Sequence, residues 1–461
     1  MNIKIPKAAQ HIINVLYDNG YEAFVVGGCV RDSLMGIEPK DWDITTSASP
    51  LDIKRLFSRT VDTGIKHGTV TVLIDKVGYE VTTYRIDGEY KDSRHPEGVT
   101  FTKDLTQDLK RRDFTINAMA YNDKVGIVDK FNGIEDLNNK IIKCVGIPYD
   151  RFEEDALRIL RAVRFSAQLN FTIEKDTKNA IEELAHTLKN ISAERIKVEI
   201  DKILMSKHPD KIIDAYRLGI TKIILPEFDD MVGIKQENPN HMYDVSEHTI
   251  CAVNSLANIL RDPYLVKVDG TTYTDKEKLM MMWTMLLHDI GKPSCKYFDG
   301  DGIAHFKKHD IVGVDMAKKV YNRLKFDRFT SDLSMKIIKW HDYRFTNKHV
   351  NIRRALNRIG LDIIDYLFLI KRADTLAQNK DTIDDKLMDL EESYKLFMEI
   401  YELNQCVSLK DLAINGSDLI KCGIKPGKEI GTYLSKLLEI VIEQPELNKK
   451  EILLNKLDEI K

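Results

Sequence analysis

The chain has 461 residues and balances 69 Lys plus Arg against 72 Asp plus Glu, for a net charge of -3, so a polyanionic partner has to be held by local basic patches, and overall charge argues neither for nor against RNA. No unbroken apolar run reaches the roughly 18 residues of a membrane-spanning helix. Six cysteines, at 29, 144, 251, 295, 406 and 422, form no CxxC pair, which points to a reduced, soluble, cytoplasmic protein with no membrane association and no obligate protein partner.

Residues 7–19 (KAAQHIINVLYDN) carry helical spacing, and FVVGG, TVTVLID and GYEVTTYR then supply short β-branched runs broken by Gly and Asp, so the first 140 or so residues are predicted to be α/β. In FVVGG, Gly27 and Gly28 let the chain turn after a strand and approach a ligand closely, with backbone N–H groups and Arg31 available to phosphate oxygens. A GG pair alone is an ordinary turn. Asp41 and Asp43 stand two apart in DWD; in a strand both carboxylates face one side, where a hard divalent cation such as Mg²⁺ relieves their repulsion. A lone DxD is an ordinary solvated loop, but GGCVRD precedes this one by ten residues. Glu80, in GYEVTTYR, is a third candidate carboxylate on a neighbouring strand.

From about residue 150 strand signals nearly vanish. Apolar residues recur at three and four in RFEEDALRILRAVRFSAQL, SAERIKVEIDKIL and HPDKIIDAYRLGI, the pattern of amphipathic helices. Turn formers and charge mark breaks at 147–150, 225–241 and 378–385. On a helix starting near Arg151, Asp155 and Arg158 are three apart and share a face. A carboxylate acceptor beside a guanidinium donor complements a base edge with an amino group next to a ring acceptor. Cytosine and adenine have that edge; guanine and uracil present the reverse. Arg161 and Arg164 continue the series.

GGCVRD, DWD and RRDFTINA (111–118) together resemble the polymerase-beta type nucleotidyltransferase superfamily, specifically the bacterial class II tRNA nucleotidyltransferases and poly(A) polymerases. VDKFNGIEDL (128–137), EEDALRILRAVRFSAQLNF (153–171), SAERIKVEIDKIL (192–204) and GIKPGKEIG (423–431) follow in family order. The resemblance implies an α+β fold: a polymerase-beta-like nucleotidyltransferase head, a mixed sheet with helices, at 1–147. An all-helical neck at 148–225, a helical body at 226–380 and a helical tail at 381–461 come after it. It makes Asp41, Asp43 and Glu80 catalytic around Mg²⁺, and Asp155 with Arg158 the amino-acid template for CTP and ATP. Gly27, Gly28, Arg31, Arg112, Arg161 and Arg164 fall to the nucleotide and its phosphates, with Arg111 and Asp113 beside them. The implied activity is addition of CCA to the tRNA 3′ end with release of pyrophosphate. Terminal A addition and poly(A) synthesis are the alternatives. YRIDGEYKDSRHPEGVTF (84–101), polar and rich in Gly and Asp, resembles the flexible loop that members adding A require. GIKPGKEIG, with Lys425 and Lys428, is either an RNA-backbone contact or a plain joint between helices.

A second constellation lies further on. WTMLLHDIGKP (283–293) sets His288 and Asp289 at the end of an apolar helix, with His248 before it and His309, His341 and Asp374 after it. The series resembles the HD-domain metal site, in which His248, His288, Asp289 and Asp374 hold one cation. Mixed imidazole and carboxylate donors suit Mn²⁺, Fe²⁺, Ni²⁺ or Zn²⁺, and such a site implies phosphohydrolase activity. His309 and His341 are left for a second ion or a substrate phosphate. The rival reading from another class is an HD hydrolase whose head only senses nucleotide; a third is an RNA-binding protein without catalysis.

Overall fold

Short β-branched runs separated by turn formers give the chain its strands, and all but two minor pairs of them fall in the first third. The computed structural model describes residues 2–88, 98–237 and 242–460 and divides into two compact units, Met1–Asp229 and Asp230–Lys461. In the first unit the strands are β1 (Ala23–Val26), β2 (Ile44–Thr46), β3 (Thr60–Gly64), β4 (Thr69–Ile74), β5 (Val77–Thr83), β6 (Arg85–Asp87), β7 (Val99–Phe101), β8 (Met119–Asn122) and β9 (Gly126–Asp129), with a minor parallel pair, Ile141–Ile142 and Thr172–Ile173, after them. Seven of them form a mixed sheet in the order β3-β4-β5-β2-β1-β8-β9. β2 runs parallel to β5, with Ile44 opposite Val81, and antiparallel to β1, with Phe24 opposite Thr45.

All four residues of β1 are buried, as expected of a strand covered on both faces. Helix Lys7–Asp18 lays Ala9, Ile12, Ile13 and Leu16 on the β1–β2 side. Phe24 and Val26, alternating to the other side, pack with Tyr84, Leu109 and Ala120. β6 and β7 pair antiparallel at the two ends of the loop expected at 84–101; its middle, 89–97, lies outside the described residues.

Helices Pro148–Glu154, Leu157–Leu169, Lys175–Leu184 and Ala193–Leu204 follow. Leu157–Leu169 packs on Ala193–Leu204, burying Leu160, Val163, Ile196, Ile200 and Ile203. The single helix expected to carry both Asp155 and Arg158 is in fact two. Asp155 is extended, with φ -141 and ψ 101. Its Oδ1 accepts the Leu157 N–H at 3.1 Å and its carbonyl accepts the Arg158 N–H at 2.9 Å. A short polar side chain that bonds the local backbone competes with helix continuation and restarts it two residues on.

The second unit is helical apart from one two-residue strand pair. Helices Val245–Leu260 and Asp275–Leu287 each start at a capping box, Asp244 with Glu247 and Thr274 with Glu277. Met280 to Leu287 is buried throughout, which is why the sequence there is apolar all round. Helices Arg328–Trp340 and Ile364–Leu376 pack with these two, His309–Arg323 packs on Arg328–Trp340, and Lys380–Glu402 lies against Ile364–Leu376. Gly416–Lys421, Lys428–Glu443 and Lys450–Ile460 close a separate core of Leu419, Leu437, Val441, Leu453 and Leu457. Among the described residues no helix is long and apolar enough to cross a membrane.

Candidate functional sites

β1 ends at Gly27, whose φ of 81 suits glycine alone. A Cβ there would stand 2.9 Å from Nη1 of Arg112, so the missing side chain also seats that arginine. Gly28 opens the helix Gly28–Leu34 that carries Arg31. Arg31 donates from Nη1 to Asn117 Oδ1 at 2.6 Å and from Nε to Asp32 Oδ1 at 2.8 Å. Arg112 is half-buried, and the loss of hydration lowers its pKa; its Nε has no hydrogen bond among the described residues. Buried Asp108 ties the region together, accepting from Arg111 Nε at 2.9 Å and from Thr45 Oγ1 on β2 at 3.0 Å, with Arg112 at 3.7 Å.

Asp41 and Asp43 sit immediately before β2 rather than within a strand. Continuing the β2–β5 register by one residue from Ile44 and Val81 sets Asp43 across from Glu80. Loss of hydration raises the pKa of Asp43, and Asp41 adds to the rise while Arg112 opposes it. Glu80 is raised by the same loss of hydration and by Asp43 and Asp41. Asp41 disfavours the charge of Asp43, and both disfavour that of Glu80, an imbalance that a hard divalent cation would relieve.

The break at Asp155 turns its carboxylate and the Arg158 guanidinium into one cavity of about 240 Å³, lined also by Arg111, Arg112, Asp113, Arg161 and Arg195. Each group is braced from behind. Arg195 donates to Asp155 Oδ2 at 2.8 Å; Arg158 donates to Glu154 Oε2 at 2.5 Å and to the Arg111 carbonyl at 3.0 Å. Arg161 grips Asp113 Oδ2 at 2.8 and 2.5 Å. Burial pushes Asp113 up, but Arg161 and Asn117 hold it well below the usual carboxylate range. Arg164 is not among the residues lining this cavity. It is buried against Glu199, 3.1 Å away, and burial lowers it to about 10. The guanidiniums of Arg31, Arg161 and Arg164 stand 5.1, 5.5 and 4.2 Å from the Phe165 ring, so one aromatic face gathers three cations.

In the second unit His248, His288, Asp289 and Asp374 converge. His248 Nε2 is 2.8 Å from Asp374 Oδ1 and 3.6 Å from Asp289 Oδ2; His288 Nε2 is 3.2 Å from Asp289 Oδ2 and 3.4 Å from Asp374 Oδ1. Each imidazole points its Nδ1 at a main-chain carbonyl, His248 at Ala377 and His288 at Met285. A carbonyl only accepts, so Nδ1 carries the hydrogen and Nε2 offers a lone pair. His288 Nε2 and both Asp289 oxygens are buried without a hydrogen bond among the described residues, and Lys292 Nζ, 2.7 Å from Asp289 Oδ2, is the ion-pair partner of that carboxylate. Burial would lower His288, but Asp289 and Asp374 raise it to about 10. Without a metal, a proton on His288 Nε2 is the positive centre between imidazole and carboxylates; a divalent cation bound there would replace it, and these donors fit one. A cavity of about 430 Å³ opens beside the cluster, with Lys292, Lys307, Lys308 and Arg344 in its wall.

GIKPGKEIG joins helix Gly416–Lys421 to helix Lys428–Glu443, and Lys428 lines an open groove with Asn357, Thr432 and Lys436. Five bracing residues were not singled out from sequence: Asp108, Asn117, Glu154, Arg195 and Glu199. The spacing of Asp108 to Arg111 and of Glu154 to Arg158 is a helical ion-pair signal. Asn117 reaches Arg31 across 86 positions, which no local pattern marks.

Residues 23–143 match the family described as Poly A polymerase head domain, 170–232 an RNA- and SrmB-binding region of polymerase A, 241–379 the HD domain, and 364–457 a tRNA nucleotidyltransferase domain 2. The chain is 35% identical over 449 residues to the CCA-adding enzyme of Ligilactobacillus salivarius, covering 97% of this chain and 95% of that one. It is 33% identical over 454 residues to the CCA-adding enzyme of Pediococcus pentosaceus, covering 98% and 97%. Among solved structures, the Bacillus stearothermophilus CCA-adding enzyme in complex with CTP superposes with a TM-score of 0.68 at 28% identity, covering 98% of this chain and 96% of that one.

Proposed function

The chain belongs to the family of CCA-adding enzymes, and on that premise we infer that it adds CCA to the 3′ end of tRNA from CTP and ATP without a nucleic-acid template, releasing pyrophosphate. The observation that supports the reading best is the cavity that unites Asp155 and Arg158 with Arg111, Arg112 and Arg161. An acceptor and a donor stand there among cations suited to a triphosphate.

Asp155 accepts the exocyclic amino group of cytosine or adenine, and Arg158 donates to the ring nitrogen beside it. Guanine and uracil put a carbonyl opposite the carboxylate and a ring N–H opposite the guanidinium, a mispairing of buried groups that costs about 1–3 kcal/mol for each group left unpaired. Arg31, Arg112 and Arg161 hold the triphosphate, with Gly27 and Gly28 beside it and Arg164 behind it. Asp41, Asp43 and Glu80 hold divalent metal, which we assign as Mg²⁺; when bound it supplies charge neutralisation to the phosphates and acidity to the attacking hydroxyl. The tRNA 3′-hydroxyl oxygen bonds to the α-phosphorus, the bond from that phosphorus to its bridging oxygen breaks, and pyrophosphate carries the electron pair away. The head is assigned to residues 1–147, the neck to 148–225, the HD body to 226–380 and the tRNA-binding tail, with Lys425 and Lys428, to 381–461. The protein is assigned to the cytoplasm.

The HD centre supports a second, hydrolytic activity. His248, His288, Asp289 and Asp374 would hold one ion from the series Mn²⁺, Fe²⁺, Ni²⁺ or Zn²⁺, and Lys292 and Arg344 would hold the phosphate of a phosphoester.

The test is incubation of the purified protein with tRNA lacking its 3′ end, Mg²⁺, and CTP and ATP separately and together, with products resolved by length. Extension that stops at CCA is expected, and Asp43→Ala lowers it by about 100-fold or more. Addition of A alone to tRNA ending in CC would reassign the protein as an A-adding enzyme, and no addition would leave only the hydrolase. For the HD centre the readout is metal-dependent hydrolysis of a 2′,3′-cyclic nucleotide, abolished in His288→Ala.

A further inference from the structure

The second unit holds a further cavity, of about 300 Å³, walled by two helices and the loop that precedes Thr274, and none of the HD ligands lines it. Helix Ile364–Leu376 gives it Asp365, Phe368, Leu369 and Arg372, and helix Lys380–Glu402 gives it Leu387, Leu390, Glu391 and Tyr394. Each set is spaced i, i+3, i+4 and i+7, so each helix offers a single face. The loop closes the third side with Asp262, Tyr264 and Tyr273. Asp262 Oδ1 accepts the Tyr264 N–H at 2.9 Å, a local turn that leaves the Tyr264 ring at the exposed rim.

The charges around this cavity do not balance. Among the described residues that line it Arg372 alone is a cation, and it stands 3.8 Å from Glu391. Neither Asp262 nor Asp365 forms an ion pair among the described residues. Asp365 Oδ2 accepts the Val268 N–H at 3.2 Å, while its Oδ1 is buried and makes no hydrogen bond among the described residues. Lys267 is engaged elsewhere, with its Nζ on Glu277 Oε1 at 2.6 Å. Burial raises Asp365 against the bond from Val268, and burial followed by the charge of Asp365 raises both Tyr273 and Tyr394. Two neutral phenols thus stand within the field of one unpaired carboxylate. The Phe368 ring, 5.0 Å from that of Tyr394, extends the aromatic wall.

We propose that this cavity binds a protonated amine carried on a small aromatic body, with the ammonium held by Asp365 and the rings of Tyr273 and Tyr394, and the body against Phe368, Leu369 and Leu387. An anion there would meet three carboxylates and one guanidinium already facing Glu391. A neutral apolar molecule would fill the space and leave Asp365 without a partner. An ammonium answers both features, since it donates to the carboxylate and is drawn to the negative faces of the rings. The volume lies at the small end of ligand pockets, which suits one ring with a short aminoalkyl chain.

The test titrates full-length protein at neutral pH with phenethylamine, and with 2-phenylethanol and 3-phenylpropionate as its neutral and anionic counterparts, by calorimetry and saturation-transfer NMR. Phenethylamine is expected to bind with a Kd of about 0.1–1 mM, about 10-fold tighter than the alcohol, and the carboxylate not measurably. Asp365→Asn keeps the side chain's shape and weakens the amine about 10-fold, to the level of the alcohol. Leu387→Trp fills the cavity without altering a charge and removes binding of both, with circular dichroism showing that each variant is folded. Amine and alcohol binding alike would make the cavity merely apolar and overturn the proposal. Amine affinity unchanged in both variants would put the ligand on other carboxylates and overturn it as well. So would the absence of binding by any of the three probes.

Discussion

At the scale of residues, the head keeps a charge arrangement that works against its own stability. Asp43 and Glu80 both have raised pKa values, Asp43 through lost hydration and Asp41 against the opposing Arg112, and Glu80 through lost hydration, Asp43 and Asp41. A carboxyl raised in the folded state stabilises the fold while it is protonated, below the ordinary carboxylate pKa of about 4, and loses that contribution as the pH rises through the raised value. At pH 7 without divalent metal, Asp43→Asn therefore melts higher than the parent, by about 1–2 °C for a like-charge contact worth about 0.5 kcal/mol. Near pH 3 the difference closes. Calorimetry at the two pH values checks this, and an asparagine variant that melts lower at pH 7 refutes it. The carboxylates were picked out by the spacing of DWD and by the strand pattern of GYEVTTYR, although Asp41 and Asp43 precede β2 and only the register of Ile44 with Val81 sets Asp43 across from Glu80. Asn117 and Arg195 were not, since each meets its partner only after the chain has folded back over many residues, 86 for Asn117 and 40 for Arg195.

At the scale of elements, the interruption between Pro148–Glu154 and Leu157–Leu169 matters more than either helix. Periodicity reads EEDALRILRAVRF as one amphipathic run because apolar spacing carries across the break. The deciding term is Asp155, whose side chain bonds the backbone two residues ahead, and period counting does not see that. Behind it, Glu154 holds Arg158. Glu154→Ala leaves that guanidinium with fewer fixed partners, so the loss falls on choice of base. Incorporation of CMP and AMP drops by about 10-fold, and the preference over GMP and UMP narrows by a similar factor. Single-nucleotide extension with each of the four triphosphates measures both. Equal discrimination in the variant would remove Glu154 from the reading. The HD helices were legible for the converse reason. His288, His309 and His341 end or begin helices, where local turn hydrogen bonds fix the tautomer, whereas His248 takes its partner, the Ala377 carbonyl, from 129 residues away.

At the scale of the whole molecule, each of the two units carries its own proposed ligand site, for nucleotide in the first and for the HD metal in the second. A ligand that binds only the folded form at 100 times its Kd adds about 2.7 kcal/mol to the part that binds it. Calorimetry is expected to show two transitions, one moved upward by CTP with Mg²⁺ and the other by Mn²⁺ after the head is silenced with Asp43→Ala. A single transition moved equally by both ligands would mean that the units unfold as one. The division between a sheet-bearing head and a helical remainder was readable from where β-branched runs stop. How closely the HD helices approach was not, because it depends on an atom that is missing. Gly291 carries no methyl group, and the His309 carbonyl occupies the space one would fill. The spacing of this centre therefore becomes a letter in the sequence: a chain with alanine or anything larger here has to move the His309 helix away from the His288–Asp289 turn.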